Sequence, residues 1–451
     1  MIAVRHVTCI WLGVIALIYL FLAGSYAQKT PAWQVPDEPA HYNYIRQIAE
    51  SGRIPVIEMG DWDSDYQRLL TDTGFDPQYT DEIQRIEYED HQPPLYYLLG
   101  MFFYRASDGD LKAIRWLSVA LGLGVVLSTF WVVDGLFPDK PWLGLSAAAL
   151  AAFIPQHLAM LGGVNNDPLA ELLVGVTLFR VIRYLQRETT SFGDSLLLGI
   201  LVGLAFLTKS TVYFLAGIVG IAILLKWRRV GWSRTNAFQH LLAYLIPALL
   251  MGGAWWIRNL DVYSGTDFLG LQRHDEVAAG QLQTQDYIEH DLNGDTGLYR
   301  KNFLYTTFHS FWGQFGWMAL PMEQRVYRLL LLLCLGMLVG SLIYGWREGW
   351  LKSLLPYQRE SLLLFVLTIA FVFAAYLYYN LTFVQFQGRY LYPALIPLVM
   401  WGAIGLAGWT EWLASRFPWI RWISVLVSML LAVLAWYALD HYIVPNLPNW
   451  S

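Results

Sequence analysis

The sequence predicts an all-α polytopic membrane protein, and three observations carry that prediction. Charged residues make up only 14% of the 451 and hydrophobic residues 56%, whereas a soluble domain carries about 25% charge. The apolar residues fall in long uncharged runs, most of them near the roughly 18–20 residues a helix needs to cross a bilayer. The chain also holds 21 Trp and 27 Tyr, residue types that concentrate at membrane–water interfaces. A net charge of −5 argues against nucleic acid as a partner. Cys9 and Cys334 lie inside apolar runs, so neither a disulfide framework nor a thiolate metal site is expected.

Taken in order, the run 7–27 is too long for a signal peptide and has no small-x-small cleavage site, which makes it a retained anchor helix. Uncharged runs follow at 116–133, 141–164, 195–208, 210–225, 235–257, 329–346, 361–388, 390–410 and 422–439. A further span, 168–186, is broken by Glu171, Arg180 and Arg183. The expected total is therefore about 11 transmembrane helices. Residues 94–103 are apolar but too short to cross and predict an interfacial or re-entrant helix.

Charge distribution sets the expected orientation. Arg180, Arg183 and Arg187 precede the stretch 195–225, and Lys226, Arg228, Arg229 and Arg234 follow it. Both clusters belong on the cytoplasmic side, so the stretch must be a hairpin with Lys209 at its turn. The same rule predicts an N-in, C-out chain, with short outer loops that hold only Lys209 and Arg389. Two long outer segments, 27–115 and 258–328, then carry 16 and 9 carboxylates, 25 of the 35 in the chain. With no repeat or linker visible, residues 1–451 read as one integral-membrane domain with outer elaborations.

The first outer segment begins VPDEPAHYNYIRQIAESGRIPV. Pro39 and the apolar spacing of Ala40, Tyr44, Ile45, Ile48 and Ala49 predict an amphipathic helix ending at Gly52. Asp37 and Glu38 stand at its start. Asp37 is open to two readings: a helix cap, or a general base held at the outer surface. Further on, EDHQPPLYYLLG presents His91 just ahead of the helix that Pro93 and Pro94 start. Arg115, Lys209, Arg258 and Arg389 each stand at the edge of an apolar run on the outer side. There each could snorkel to lipid or hold a phosphate leaving group. Asp167, after Asn165 and Asn166, either caps the next helix or positions an acceptor or basic partner. His157 and Glu171 lie deeper, without an assigned role. In the second outer segment, FHSFWGQFGW offers Trp312 and Gln314 to a sugar, although an aromatic belt would read the same way. Asp275, Glu276, Asp286 and Asp291 lack a compact ligand spacing, so no metal is expected.

Together these motifs resemble the GT-C glycosyltransferases, in the branch of protein O-mannosyltransferases and lipid A aminoarabinose transferases. The resemblance rests on the Asp37-Glu38 pair after the first span, PPLYYLLG, GGVNNDPLAELL, GLAFLTKSTVYF and FQGRYLYPALIPL, and it extends over residues 35–397. It implies the GT-C fold and transfer of a sugar from a polyprenyl-phosphate carrier, usually with inversion, to an acceptor outside the cytoplasm. By this resemblance Asp37 is the catalytic base with Glu38 as its partner, and Arg389 and Tyr390 match the family's Arg-Tyr pair. Lys209, Arg389, Tyr390, Arg115, Arg258 and His91 are the candidates for the donor phosphate. His41, Asp167, Trp312 and Gln314 are the candidates for acceptor or sugar. Gln92 stands where the aminoarabinose transferases have a lysine. The implied partners are a polyprenyl-phosphate-linked sugar, the bilayer, and a glycan, lipid or protein acceptor. No cofactor is expected, and the expected location is the plasma membrane with the reaction on its extracytoplasmic face. A polysaccharide ligase or polymerase using a polyprenyl diphosphate is the alternative, followed by a lipid or sugar transporter.

Overall fold

The computed structural model describes residues 2–189, 191–263, 265–347 and 349–448. Helix α1 (Ile2–Lys29) leads into the segment 27–115 with α2 (Glu38–Ser51), α3 (Ser64–Asp72) and α4 (Leu95–Ala106). The α-helices α5 (Leu111–Leu136), α6 (Pro141–Phe153), α7 (Pro155–Leu161), α8 (Asp167–Gln186), α9 (Phe192–Phe206), α10 (Phe214–Val230) and α11 (Arg234–Tyr263) follow. The segment 258–328 holds the short α12 (Leu271–Val277) and α13 (Thr284–Asp286), then α14 (Thr296–Trp312). After it come α15 (Gln324–Arg347), the short α16 (Trp350–Ser353), α17 (Pro356–Thr382), α18 (Leu395–Ala414), α19 (Ile423–Ala438) and α20 (Val444–Asn446). The one sheet among the described residues is a two-stranded antiparallel hairpin pairing Gln314 with Pro321 and Phe315 with Leu320.

Each of the eleven apolar runs is carried by helix. Eight helices among the described residues are long and apolar enough to cross a membrane, or nine if α6 and α7, bent by 68°, make one span. The other two runs lie on α8, which is interrupted by charge, and on α9, which has only 15 residues. The stretch 195–225 is the predicted hairpin: α9 ends at Phe206, α10 begins at Phe214, and Lys209 lies in the turn. The run 361–388 outlasts its helix. α17 stops at Thr382, and the chain continues in a bridge between Phe383 and Gln283 before reaching Arg389.

All thirteen residues of α6 are buried, as expected of a helix that is apolar all round. It packs against α5, α18 and α19 at the centre of the molecule. Small residues let other pairs approach closely. A Cβ on Gly340 of α15 would strike the carbonyl oxygen of Gly405 on α18, and one on Gly405 would strike that of Met337. In the segment 27–115, α2 lies on α4 with the Tyr44 and Tyr97 rings stacked at 3.7 Å. Both predicted non-spanning helices are therefore present and pack on each other.

Candidate active site

Asp37 occupies the N-cap position of α2 but does not cap it. Its backbone is left-handed (φ 66°), and its carboxylate makes no capping bond. Gly52 closes the other end of the helix, donating its N–H to Ile48 O. Freed from the helix end, the Asp37 carboxylate turns elsewhere. Oδ1 accepts from the Tyr88 hydroxyl at 2.8 Å, and Oδ2 accepts from Arg389 Nη2 at 2.5 Å. The capping alternative is thus set aside by the geometry. A left-handed conformation at a non-glycine residue carries a strain cost, and here it aims a carboxylate. Burial pushes the Asp37 carboxyl up, but the charges of Arg389 and His41 and the hydrogen bonds from Arg389 and Tyr88 outweigh it. The net result holds the group below its ordinary value of 3.8.

Arg389 is delivered by the turn after α17. Gly388, just before it, sits so close to α14 that a Cβ would strike Thr307 O and Phe311 N. The guanidinium also donates through Nε to Gln387 Oε1 at 2.7 Å and lies 5.4 Å from the Tyr390 ring centroid. Asp37 and Arg389 are 352 residues apart in sequence. A second acid–base pair lies within electrostatic reach: Lys209 Nζ donates to Asp167 Oδ1 at 2.5 Å. His41 feels Asp37, Asp167 and Lys209 together. Its Nδ1 is 2.8 Å from the Tyr97 hydroxyl, to which Asn166 Nδ2 donates at 3.3 Å. Asn166 also reaches Gln92 Oε1 at 3.4 Å. The turns before α2, α4 and α8, the turn between α9 and α10, and the link into α18 thus meet at one end of the bundle.

Other sequence candidates are placed differently. Glu38 and Arg115 are both fully buried and bound to each other in a fork, Nε to Oε1 at 2.7 Å and Nη2 to Oε2 at 2.6 Å. Glu38 also accepts from the backbone N–H groups of Trp33 and Val164, and Arg115 donates to the carbonyls of Ala27, Thr30 and Pro31. Neither has a free valence facing solvent, which leaves Arg115 nothing to offer a phosphate. Arg258 donates to Pro55 O at 2.5 Å and lies over the Trp255 ring, pinning the segment 27–115 to α11. His91 is buried 4.4 Å from the His274 ring, with Nδ1 3.0 Å from Tyr88 O. Burial, helped by His274, holds His91 well below its ordinary value, so it is neutral and adds no positive charge. Trp312 is buried in the main apolar core, and Gln314 Nε2 donates to Met318 O across the hairpin. His157 and Glu171 bond to each other at 2.7 Å, buried between α7 and α8. A cavity of about 490 Å³ opens between residues 56–59 and 262–276, and none of the predicted site residues lines it.

Two contributors were not anticipated. Tyr88 orients Asp37, and Gln387 orients Arg389; the only sequence signal for either was its place beside a motif. The carboxylates that converge among the described residues are also not those weighed in the second outer segment. They are Asp61, Glu87 and Asp90, in the first.

In fold, the chain is similar to the apo oligosaccharyltransferase of Archaeoglobus fulgidus, with a TM-score of 0.55 at 13% identity, over 97% of this chain and 57% of that one. The chain thus spans little more than half the length of that enzyme. A second similar structure is ArnT from Cupriavidus metallidurans bound to undecaprenyl phosphate, with a TM-score of 0.49 at 12% identity, over 97% of this chain and 73% of that one. The likeness to the oligosaccharyltransferase bears out the expected GT-C fold. No curated protein matches the chain in sequence. A family model described as "Predicted membrane protein (DUF2142)" matches residues 61–399, a span that includes Asp167, Lys209 and Arg389. That match takes in more than half of the sequence, and the chain belongs to the DUF2142 membrane-protein family.

Proposed function

We propose that the protein is an integral-membrane glycosyltransferase. It moves a sugar from a polyprenyl-phosphate donor to an acceptor on the extracytoplasmic face, with N-in orientation and eleven spans. The observation that carries this reading is Asp37: about a quarter exposed, unused as a helix cap, and held by Tyr88 and Arg389 beside a second acid–base pair. Such an arrangement suits direct displacement at an anomeric carbon. Asp37 takes the proton from an acceptor hydroxyl or amine as its heteroatom attacks C1. The C1–O bond to the carrier breaks, and polyprenyl phosphate leaves with the bonding electrons. Arg389 and Lys209, fixed in advance, stabilise the charge that develops on the phosphate.

The two pairs also suggest how binding is coupled to chemistry. A donor phosphate competes with Asp37 for the Arg389 guanidinium. When it wins, Asp37 loses the charge that most lowers its proton affinity and becomes a better base. Glu38 and Arg115, both buried and fully bonded, serve in this reading as the frame that fixes the Asp37 backbone.

The test is transfer of radiolabelled sugar from polyprenyl phosphate in membranes holding wild type or Asp37→Asn. Loss by a factor of about 10²–10⁴ with normal folded yield is the expected result. Equal turnover in the two, or uptake of free sugar in place of transfer, would overturn the reading.

A further inference from the structure

Away from Asp37, three carboxylates of the first outer segment converge. Ligand oxygens of Asp61, Glu87 and Asp90 lie within 4.8 Å of one another. Backbone bonds fold them together: Glu87 N–H donates to Asp61 O at 3.1 Å and Asp90 N–H to Glu87 O at 3.0 Å. Among the described residues, one basic group bonds to the trio, Arg46 at 3.3 Å from Glu87. Arg273 reaches Asp61 only at longer range and is itself bonded to Glu276. With all three ionised, the trio exceeds Arg46 by two charges, the charge of one divalent cation; without one, burial and the neighbouring acids push the Glu87 carboxyl up to about 7 and the Asp90 carboxyl well above its ordinary value.

Asp90 supplies the second, independent sign. It is 1% exposed; Oδ2 accepts from Gln47 Nε2 at 2.7 Å, and Oδ1 has no hydrogen-bond partner. A buried carboxylate oxygen left unpaired among like charges is costly. We propose that Asp61, Glu87 and Asp90 form a Ca²⁺ site. The donors are all hard oxygens, which suit Ca²⁺ or Mg²⁺, whereas zinc favours nitrogen and sulfur. Mg²⁺ keeps several waters and usually takes only one or two carboxylates, whereas Ca²⁺ accepts a larger set of protein oxygens, so three converging carboxylates favour Ca²⁺.

The cation ties Asp61 and its neighbour Trp62 to the turn 87–90. Tyr88 lies inside that turn, packed edge-on against Trp62 at 5.0 Å, with its hydroxyl on Asp37. Ca²⁺ therefore fixes Tyr88 as a positioning residue for Asp37 without touching the acid itself. This consequence rests on the proposed reaction; the binding site does not.

Trp62 makes the test direct, because a nearby tryptophan sensitises Tb³⁺ luminescence. Full-length protein in detergent is titrated with Tb³⁺ and then with Ca²⁺ or Mg²⁺, alongside thermal unfolding in EDTA and in Ca²⁺. Expected is saturable luminescence displaced by Ca²⁺ ahead of Mg²⁺. Affinity should fall about tenfold or more in Asp90→Asn and Glu87→Gln and stay unchanged in Asp81→Asn, an exposed acid of the same segment. Ca²⁺ should raise the unfolding temperature of wild type above its value in EDTA and leave that of Asp90→Asn nearly unmoved. Wild-type binding by Asp90→Asn, or loss of luminescence in Asp37→Asn with Asp90→Asn unaffected, would overturn the site. Intact Ca²⁺ binding with no sugar transfer would overturn the proposed reaction and leave the site standing.

Discussion

Asp37 and Glu38 are neighbours in sequence with the same charge and opposite surroundings. Glu38 is fully buried, forked to Arg115, with both oxygens taken up by further backbone donors. Asp37 is about a quarter exposed and held by one phenol and one arginine, on a strained left-handed backbone. A buried, fully bonded pair is hard to break and has nothing free to offer a substrate. An accessible pair whose arginine could exchange its partner for a phosphate can do chemistry. The difference shows that the acid pair is two devices, one holding the chain and one presented to solvent.

The largest effect expected from breaking this contrast is on folding. Arg115→Met leaves Glu38 charged and unpaired in the interior, which should cost about 3–5 kcal/mol. The folded yield on size exclusion should collapse. Retained yield with selective loss of donor binding would instead restore Arg115 to the substrate site. Arg389→Met should leave folding near normal but cut transfer by about 10²–10³, the scale of one lost charge-stabilising donor.

That variant also has a pH signature. In wild type the Asp37 carboxyl lies below 3.8, so it is ionised throughout the neutral range. Any stability or activity that depends on its charge is lost only as pH falls through that depressed value. Removing Arg389 lets the carboxyl rise, so the acid limb of the residual kcat/KM profile, which reports the donor-free enzyme, should move upward. An unmoved limb would mean that Asp37 is not the group being titrated. Smallest is Tyr88→Phe, which deletes one hydrogen bond worth about 1 kcal/mol. It should lower transfer about fivefold, with a slight upward move of the same limb and an unchanged melting temperature.

Much of the scaffold was legible because it is local. Pro39 and the spacing of Tyr44, Ile45 and Ile48 predict α2 and its end at Gly52. The basic clusters on either side of 195–225 require the hairpin and put Lys209 at its turn. Pro93 and Pro94 start α4. What pairs with what was not legible, because those contacts join distant segments: Glu38 meets Arg115 across 77 residues, and Asp37 meets Arg389 across 352. Periodicity reports which face is apolar and is silent on which charges meet. Arg115 therefore looked like its fellow outer-side basics, although it alone among them is fully buried. Tyr88 carried no signal beyond its place beside a motif, since a tyrosine in an acidic loop reads as surface until its hydroxyl is seen on Asp37.

The most direct measurement is a structure of the protein with polyprenyl phosphate bound. If Arg389 and Lys209 hold the donor, phosphate oxygens lie within hydrogen-bond distance of both, the Arg389–Asp37 contact is opened, and the Glu38–Arg115 fork is unchanged. Phosphate more than a helix turn from both Arg389 and Lys209, or seated on Arg115 after the fork has opened, would contradict it.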